Sequence, residues 1–368
     1  MISSTLLTLV RCPDCHGTLG CQGAGVPDAR VPGALVLTCA QCGRRYESPA
    51  DYLDLRPREQ FAEQTKYLDD ALHVDARHER VSPPLLGSRI RNDMLREFLA
   101  PGPGELVADL GCGSGRALLW NRDRGAVTVG IDIAPFFSRD ARSGTDLLLA
   151  DLRTLPFADG TFDKAWSLDV LEHLSPDALN GMLAEANRVL KPGGSLFVYT
   201  HVRKNARIAV GLKWINRLAK RLEQWDLVDL RQEHLRKSDH VNPLRDIPHL
   251  EAVASATGFR LARIRFYTPL VGGFVENIMM RMVERVMARR AAGRIAAAGT
   301  GDPLDVDAAA VREARTSAKE RIARSRTTYA ALRALSFAMK LDLVLFGRIT
   351  SGPFFALLTK DAGPGIRG

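Results

Sequence analysis

The sequence predicts an α/β fold: a mostly parallel sheet wrapped by helices and closed by one antiparallel C-terminal strand. A small cysteine-bearing module precedes it, and two helical insertions interrupt it. Three observations point there. From residue 106 onward, short apolar runs alternate with helical segments, as in strands joined by crossover helices. The first run ends in a glycine-rich loop, and the next two end in aspartates. Ahead of them, two Cys-x-x-Cys pairs lie within the first 42 residues.

The chain's 368 residues give room for two or three domains, and its 46% hydrophobic and 25% charged content is that of an ordinary folded protein. The opening MISSTLLTLV is apolar but has no basic start and no small-residue cleavage site, so no signal peptide is expected. The longest uncharged apolar stretches, 266–275 and 349–359, reach about half of the roughly 18 residues that span a bilayer. These readings point to a cytoplasmic protein, with a peripheral place at the inner membrane face as a variant. The net charge of +9 is uneven, since residues 201–368 hold 30 Lys and Arg against 16 Asp and Glu. A basic half suits an anionic partner: lipid headgroups, RNA or an acidic small molecule. The alternative is a solvated basic surface. Nothing in the sequence speaks to oligomeric state.

The module at 1–56 comes first. Cys12 and Cys15 form one pair, Cys39 and Cys42 the other, with 23 residues between them. Two such knuckles supply the tetrahedral sulfur shell that Zn²⁺ prefers, and four thiolates leave no open position, so a structural zinc is expected. Disulfides would need an oxidising compartment. A hairpin-like run joins the pairs: Thr18–Gly20, a Gly/Pro loop, then Ala34–Thr38. Cys21 stands off ligand spacing. The segments CPDCHGTL and LVLTCAQCGRRYESPADYLDLRP resemble the small zinc-binding activator proteins that partner methyltransferases, and their fused bacterial versions. That family's usual Asp-Gly-Ile-Pro turn reads Ala50-Asp51-Tyr52-Leu53 here. Cys39→Ser is expected to loosen this zinc ribbon and leave the following domain largely intact.

Residues 57–104 read as a helical lead-in, with Tyr67 and Arg91 near the later site. The central domain takes 105–267 and 353–361. Strands are expected at 106–110, 127–131, 146–150, 163–168, 194–200, 259–267 and 354–360, and helices at 114–124, 175–190 and 246–257. The first strand runs into Asp109-Leu-Gly111-Cys-Gly113-Ser-Gly115, a loop whose glycines let backbone approach a ligand closely. Asp132 closes the second strand, placed to accept two ribose hydroxyls. Asp151 closes the third and is followed by Leu155-Pro156-Phe157, which suits an adenine amino group. A nicotinamide dehydrogenase shares part of this layout. Its G-x-G-x-x-G fingerprint fails here, because Arg116 stands where the last glycine belongs.

Five segments within 106–201, namely DLGCGSG, GIDIA, ADLRTLPFADGTFD, SLDVLEHL and RVLKPGGSLFVYTH, closely resemble class I S-adenosylmethionine-dependent methyltransferases of the kind found in quinone and small-molecule methylation. The resemblance implies a Rossmann-like sheet and S-adenosyl-L-methionine contacts at Asp109, Gly111, Gly113, Gly115, Asp132, Asp151 and Leu152. Asp169 and His201, at the ends of the fourth and fifth strands, should look into the site, and His173 or His201 could serve as base. The run Asp169-x-x-Glu172-His173 is similar to one in ubiquinone-pathway O-methyltransferases that can hold a divalent metal; the alternative is a run that merely opens a helix.

Two insertions complete the chain, 203–245 and 268–352. Parallel strands end on the cofactor face, so both should emerge above the site and act as a lid. Apolar residues at 278/279, 282/283 and 286/287 make one helical stripe, opposite Arg281 and Arg285. A second runs through Leu332, Leu335, Met339, Leu343 and Phe346. Residues 291–328 read as an Ala/Arg-rich exposed helix or linker. Together these features predict methylation of a hydrophobic or amphipathic small molecule, lipid-like and met at a membrane surface. Two other functions stay open. One is an rRNA or tRNA methyltransferase, since a fused cysteine-bound zinc also resembles the guanine-N1 rRNA enzymes, although no aromatic-interleaved basic patch for base stacking is visible. The other is a non-catalytic docking subunit.

Overall fold

In the computed structural model, which describes residues 2–21, 30–31, 33–57, 81–203, 209–230, 240–267, 269–297, 325–350 and 352–361, the apolar opening folds into the core. Ile2–Ser3 (β1) leads into the helix Ser4–Leu9 (α1), capped by Ser3, whose hydroxyl accepts the Leu6 N–H at 3.0 Å. The same serine ties this start to the central sheet, donating its N–H and its hydroxyl to Asp146 at 3.0 and 2.5 Å. The ribbon is a three-stranded antiparallel sheet of Leu19–Cys21 (β2), Leu35–Cys39 (β4) and Arg45–Ser48 (β5), while Arg30–Val31 (β3) pairs with β1. In β4 residues alternate strictly between buried and exposed, which turns Leu35 and Leu37 inward. Leu53–Asp54 (β6) then leaves the ribbon and becomes the last strand of the main sheet, parallel to the third strand of the central domain.

The helix Gly87–Phe98 (α2) leads into Leu106–Leu110 (β7), Arg116–Trp120 (α3), Val127–Asp132 (β8), Arg139–Gly144 (α4) and Asp146–Leu149 (β9). Phe162–Leu168 (β10), Pro176–Val189 (α5) and Leu190–His201 (β11) follow. After Ala209–Gln224 (α6) and Ile247–Ala256 (α7), Phe259–Phe266 (β12) and Pro353–Lys360 (β13) close the sheet. The strand order is β12-β13-β11-β10-β7-β8-β9-β6, with β13 antiparallel to both neighbours and the other described pairs parallel. The chain winds outward in both directions from β7 and β10, so the crevice beyond their C-terminal ends is where a ligand fits. The expected strands are all present. The largest shift is β11, which starts four residues early because Lys191-Pro-Gly-Gly194 continues the strand through an irregular register.

Between β12 and β13 lie Leu270–Phe274 (α8), a π-helical turn Val275–Met279, Met280–Ala297 (α9), Arg326–Met339 (α10) and Leu341–Phe346 (α11). The stripe ending in Met339 and Leu343 packs onto the domain in one cluster with Tyr267, Val275 and Phe355. The other stripe divides: Met279 packs against the same cluster and Ile278 is buried with α6 residues, but Val283 and Val286 are 47% exposed. The insertion also braces the start of α2, where Glu276 accepts the Gly87 N–H at 3.0 Å and Ser336 accepts that of Leu86 at 2.7 Å. Tyr67 and residues 298–324 lie outside the described residues.

Ribbon and domain share one hydrophobic core, in which Leu6, Leu37 and Tyr46 belong to the same cluster as Ala108, Ile131, Leu148 and Phe157. A shared core stands against the expectation that loosening the ribbon leaves the following domain largely intact. Leu6, at 0% exposure, should lose about 2–5 kcal/mol of stability on Leu6→Ala. Calorimetry should then show a single transition, carrying ribbon and sheet together, move to lower temperature. Two separable transitions, with only the first one shifted, would contradict the shared core.

Candidate active site

The glycine loop between β7 and α3 sets the floor of a cavity of about 470 Å³ at the β7–β10 switch point. Gly113 adopts φ +52° and a Cβ there would meet nothing within 4 Å, so this stretch of backbone is bare toward the cavity. Gly115, at φ +76°, serves packing instead, since a Cβ would come within 2.6 Å of Ala141 on α4, and the residue does not line the cavity. Asp109, Gly111, Gly113, Asp132, Asp151 and Leu152 all do.

The carboxylates differ in their engagement. Asp132 accepts the Gly113 N–H at 2.7 Å and the Ala134 N–H at 3.1 Å, and burial still pushes its pKa above the usual range. Asp151 is clamped by Arg153, whose Nη2 lies 2.6 Å from Oδ2 and whose backbone N–H donates to Oδ1 at 2.9 Å. Asp109 is 2% exposed and its Oδ2 has no hydrogen-bond partner; Trp166 Nε1 leans toward it without reaching bonding geometry. Burial, reinforced by the nearby charge of Asp132, pushes Asp109 up to about 8. An orphaned buried carboxylate beside a bare glycine loop fits a cationic, nucleoside-bearing cofactor such as S-adenosylmethionine.

Beyond the loop, the cavity reaches Leu168, Val170, Leu174, Ala178 and Met182, with Asp169 and His173 among them. Asp169 takes the left-handed conformation at φ +57° and faces Arg91 at 3.5 Å, which in turn lies over the Tyr199 ring. Arg91, expected near the site, lines the cavity; so do Ser88, Asn92, Trp120 and Phe136, which carry no sequence signal that would single them out. Arg153, two residues after Asp151, was readable as its clamp. His201 does not line the cavity. It stands 4.0 Å from Glu172 and stacks at a tilt against His240 of the first insertion, which also meets His173 edge-on. The metal-like grouping differs accordingly from the sequence expectation. Ligand atoms of Glu172, His173 and His240 fall within 4.8 Å of one another, while Asp169 belongs to the Arg91 pair. Glu172 is buried, accepts the Thr200 hydroxyl at 2.9 Å, and is pushed up to about 8 by burial and by the charge of Asp169.

The lid expectation is corrected for the described residues: none from 203–245 or 268–352 lines the cavity. The helices of the second insertion fold back onto α2 and the β12–β13 end of the sheet, because Met339 and Leu343 find their apolar partners there.

In the ribbon, the sulfurs of Cys12, Cys15, Cys39 and Cys42 all fall within 4.8 Å of one another. Cys39 accepts N–H groups from Cys42 and Gln41, both at 3.4 Å, and these donors hold its thiol down to about 6. Tyr46 brings its hydroxyl to 3.2 Å from the Cys12 sulfur and donates to Asp14. Four convergent thiols with one primed as thiolate fit a tetrahedral metal.

Comparison with known proteins agrees with this geometry. Residues 108–198 match a family described as a methyltransferase domain. Over that stretch the chain carries a methyltransferase domain. Mouse "Probable tRNA methyltransferase 9B" is 33% identical over 159 residues, which is 41% of this chain and 35% of that protein. The Caenorhabditis elegans sterol 4-C-methyltransferase strm-1 is 35% identical over 106 residues, 26% of this chain and 31% of that protein. The chain thus spans about a third of the length of these curated relatives. Among solved structures, the [4+2]-cyclase SpnF superposes with a TM-score of 0.45 at 18% identity, over 81% of this chain and 94% of that one.

The raised pKa of Asp109 has a sign that binding can test. Unfolded, the carboxyl ionises near 4; folded, it keeps its proton up to about 8, so the stability it contributes is present at low pH and is lost as pH rises across that window. A bound cation favours the ionised form. S-adenosylmethionine affinity should therefore rise with pH up to about 8, and calorimetry at pH 7 in buffers of different ionisation enthalpy should register proton release. Asp109→Asn should abolish both effects. Asp132→Ala should lose roughly 1.5–3 kcal/mol, about 10- to 100-fold in affinity. Unchanged binding in both variants would remove these carboxylates from the site.

Proposed function

We propose that the chain is a methyltransferase acting on a hydrophobic or amphipathic small molecule, with S-adenosylmethionine bound along the glycine loop and a structural zinc in the ribbon. The observation that carries the substrate class is the far part of the cavity, where Val170, Leu174, Ala178 and Met182 offer apolar surface beside Asp169 and His173. An apolar wall with a few convergent polar groups is what an amphipathic acceptor needs for grip and orientation. The cofactor supplies a methyl group on a sulfonium, transferred in line to the acceptor. The chain has to hold the acceptor atom about 3–3.5 Å from that carbon. Asp169, fixed by Arg91, can orient an acceptor hydroxyl, and a neutral His173 can take its proton. Asp109 and Asp132 would hold the cofactor's ammonium and ribose, and Asp151, held by Arg153, would border the adenine.

A second reading, tRNA methylation, is favoured by the names of two relatives, the mouse protein and the Arabidopsis thaliana tRNA (carboxymethyluridine(34)-5-O)-methyltransferase, the latter 32% identical over 157 residues and 38% covered. Isotope-labelled cofactor offered to mixed cell lipids and total tRNA separates the two. Label should enter the organic phase and resist nuclease; label in the RNA would establish the second reading instead. His173→Ala should lower turnover about 10²- to 10⁴-fold while cofactor affinity stays put, if the acceptor is a hydroxyl. Unchanged turnover would exclude His173 as base. Metal analysis should find about one zinc per chain, reduced by Cys39→Ser; an absence of zinc would overturn the ribbon assignment.

A further inference from the structure

Where this chain exposes its apolar side chains is not random. Among the described residues, every exposed large hydrophobic except Val36 and Val127 sits in one of the two insertions. Four helices carry most of them. On α6 and just past its end, Trp214, Leu218 and Trp225 recur at helical spacing with exposures of 64, 44 and 68%. On α10 and α11, Phe337, Leu341, Val344 and Leu345 form a second outer stripe, on the face away from the buried Ser336, Met339 and Leu343. On α9 the usual order is inverted: Val283 and Val286 are 47% exposed, while the side chains of Arg281 and Arg285 are 15 and 16% exposed and paired to Glu284 and Asp226. Singly exposed apolar residues need no explanation, but runs of them on four helices of the same two insertions do.

The charges beside these stripes select the occupant. Helix α6 carries Lys213, Arg217, Lys220 and Arg221 against one acid, Glu223. In residues 325–350, Lys340 is paired with Asp93 at 2.5 Å, while Arg326, Arg333 and Arg348 stand with a single acid in the segment, Asp342, which is 0% exposed and spends its oxygens on the N–H groups of Val271 and Gly272. Exposed tryptophans flanked by lysine and arginine are suited to the level of lipid headgroups, where indole rings settle and cations reach phosphate. A second copy of the chain would bring the same cations against one another. No helix among the described residues is long and apolar enough to cross a bilayer, so the surface would lie on it.

We infer that the outer faces of α6 and of α10–α11 dock the protein peripherally on an anionic phospholipid bilayer. The inference deepens the proposed function, because an amphipathic acceptor would be met there. Its test needs no acceptor, so its failure leaves the methyltransferase reading standing. The probe is full-length protein with vesicles of phosphatidylcholine alone, or with about 30 mol% of the anionic lipid phosphatidylglycerol, followed by flotation and tryptophan emission. Binding should require the anionic lipid and weaken with salt. Emission should shift to the blue, and the shift should diminish in Trp214→Phe and Trp225→Phe. Each of Lys213→Gln, Arg217→Gln, Lys220→Gln and Arg221→Gln should weaken binding about five-fold. Trp225→Glu should abolish flotation while cofactor affinity, the control for folding, is unchanged. Three results would each overturn the inference: no flotation; flotation without a blue shift that tRNA displaces; or sedimentation showing a dimer that buries both tryptophans.

Discussion

Two carboxylates held away from water, Asp109 and Asp132, sit at the ends of adjacent strands β7 and β8, and much of the domain is arranged to tolerate them. Desolvation raises both pKa values, and the charge of Asp132 makes that of Asp109 harder still to keep. Asp132 is partly relieved by two backbone N–H groups, one of them presented by the glycine loop, which turns through the left-handed region at Gly111 and Gly113. Asp109 receives no such relief. The pair of buried carboxylates therefore favours positive charge beside it, which the proposed cationic cofactor would supply.

The acceptor side is built differently. Asp169 is held in a left-handed conformation at the end of β10 by Arg91, and Arg91 stands on a helix whose first N–H groups are taken up by Glu276 and Ser336 of the insertion. The insertion reaches the site through α2, and none of its described residues lines the cavity. A change in how its helices sit would alter where Arg91, and with it Asp169, stands at the acceptor end.

The parts of this arrangement legible in the sequence are those fixed by local chemistry. Strands β7 to β10, the loop glycines and the acids at strand ends follow from periodicity and from what each residue type does at a strand terminus. The four cysteines follow from knuckle spacing. What could not be read depends on pairings between distant segments. His240 meets His173 and His201 only because the first insertion returns to the end of β11. Arg281 and Arg285 looked like a solvent face, yet Glu284 and a loop residue, Asp226, draw them inward and leave valines outside. Among the described residues, the lid expectation misses for a similar reason. Amphipathic spacing says that a helix has an apolar face, and it does not say which surface that face will meet. Helices α10 and α11 have two such faces, and the sequence stripe named only the buried one.

The short strand β6 has a consequence for the state of the chain in a crowded solution. Open sheets are vulnerable at their borders, where unpaired N–H and C=O groups can recruit strands from other molecules. One border here is β12, whose exposed Arg260 and Arg263 repel such a partner. The other would be β9, four buried residues reading Asp-Leu-Leu-Leu, ready to pair with any extended chain. It is covered instead by two residues arriving from the ribbon, with Leu55 N–H bonded to Leu149 carbonyl just beyond them at 2.9 Å. The ribbon thus acts as a guard against self-assembly into aggregates. A guard of that kind works best when covalently joined to the sheet it protects, because it can never be diluted away.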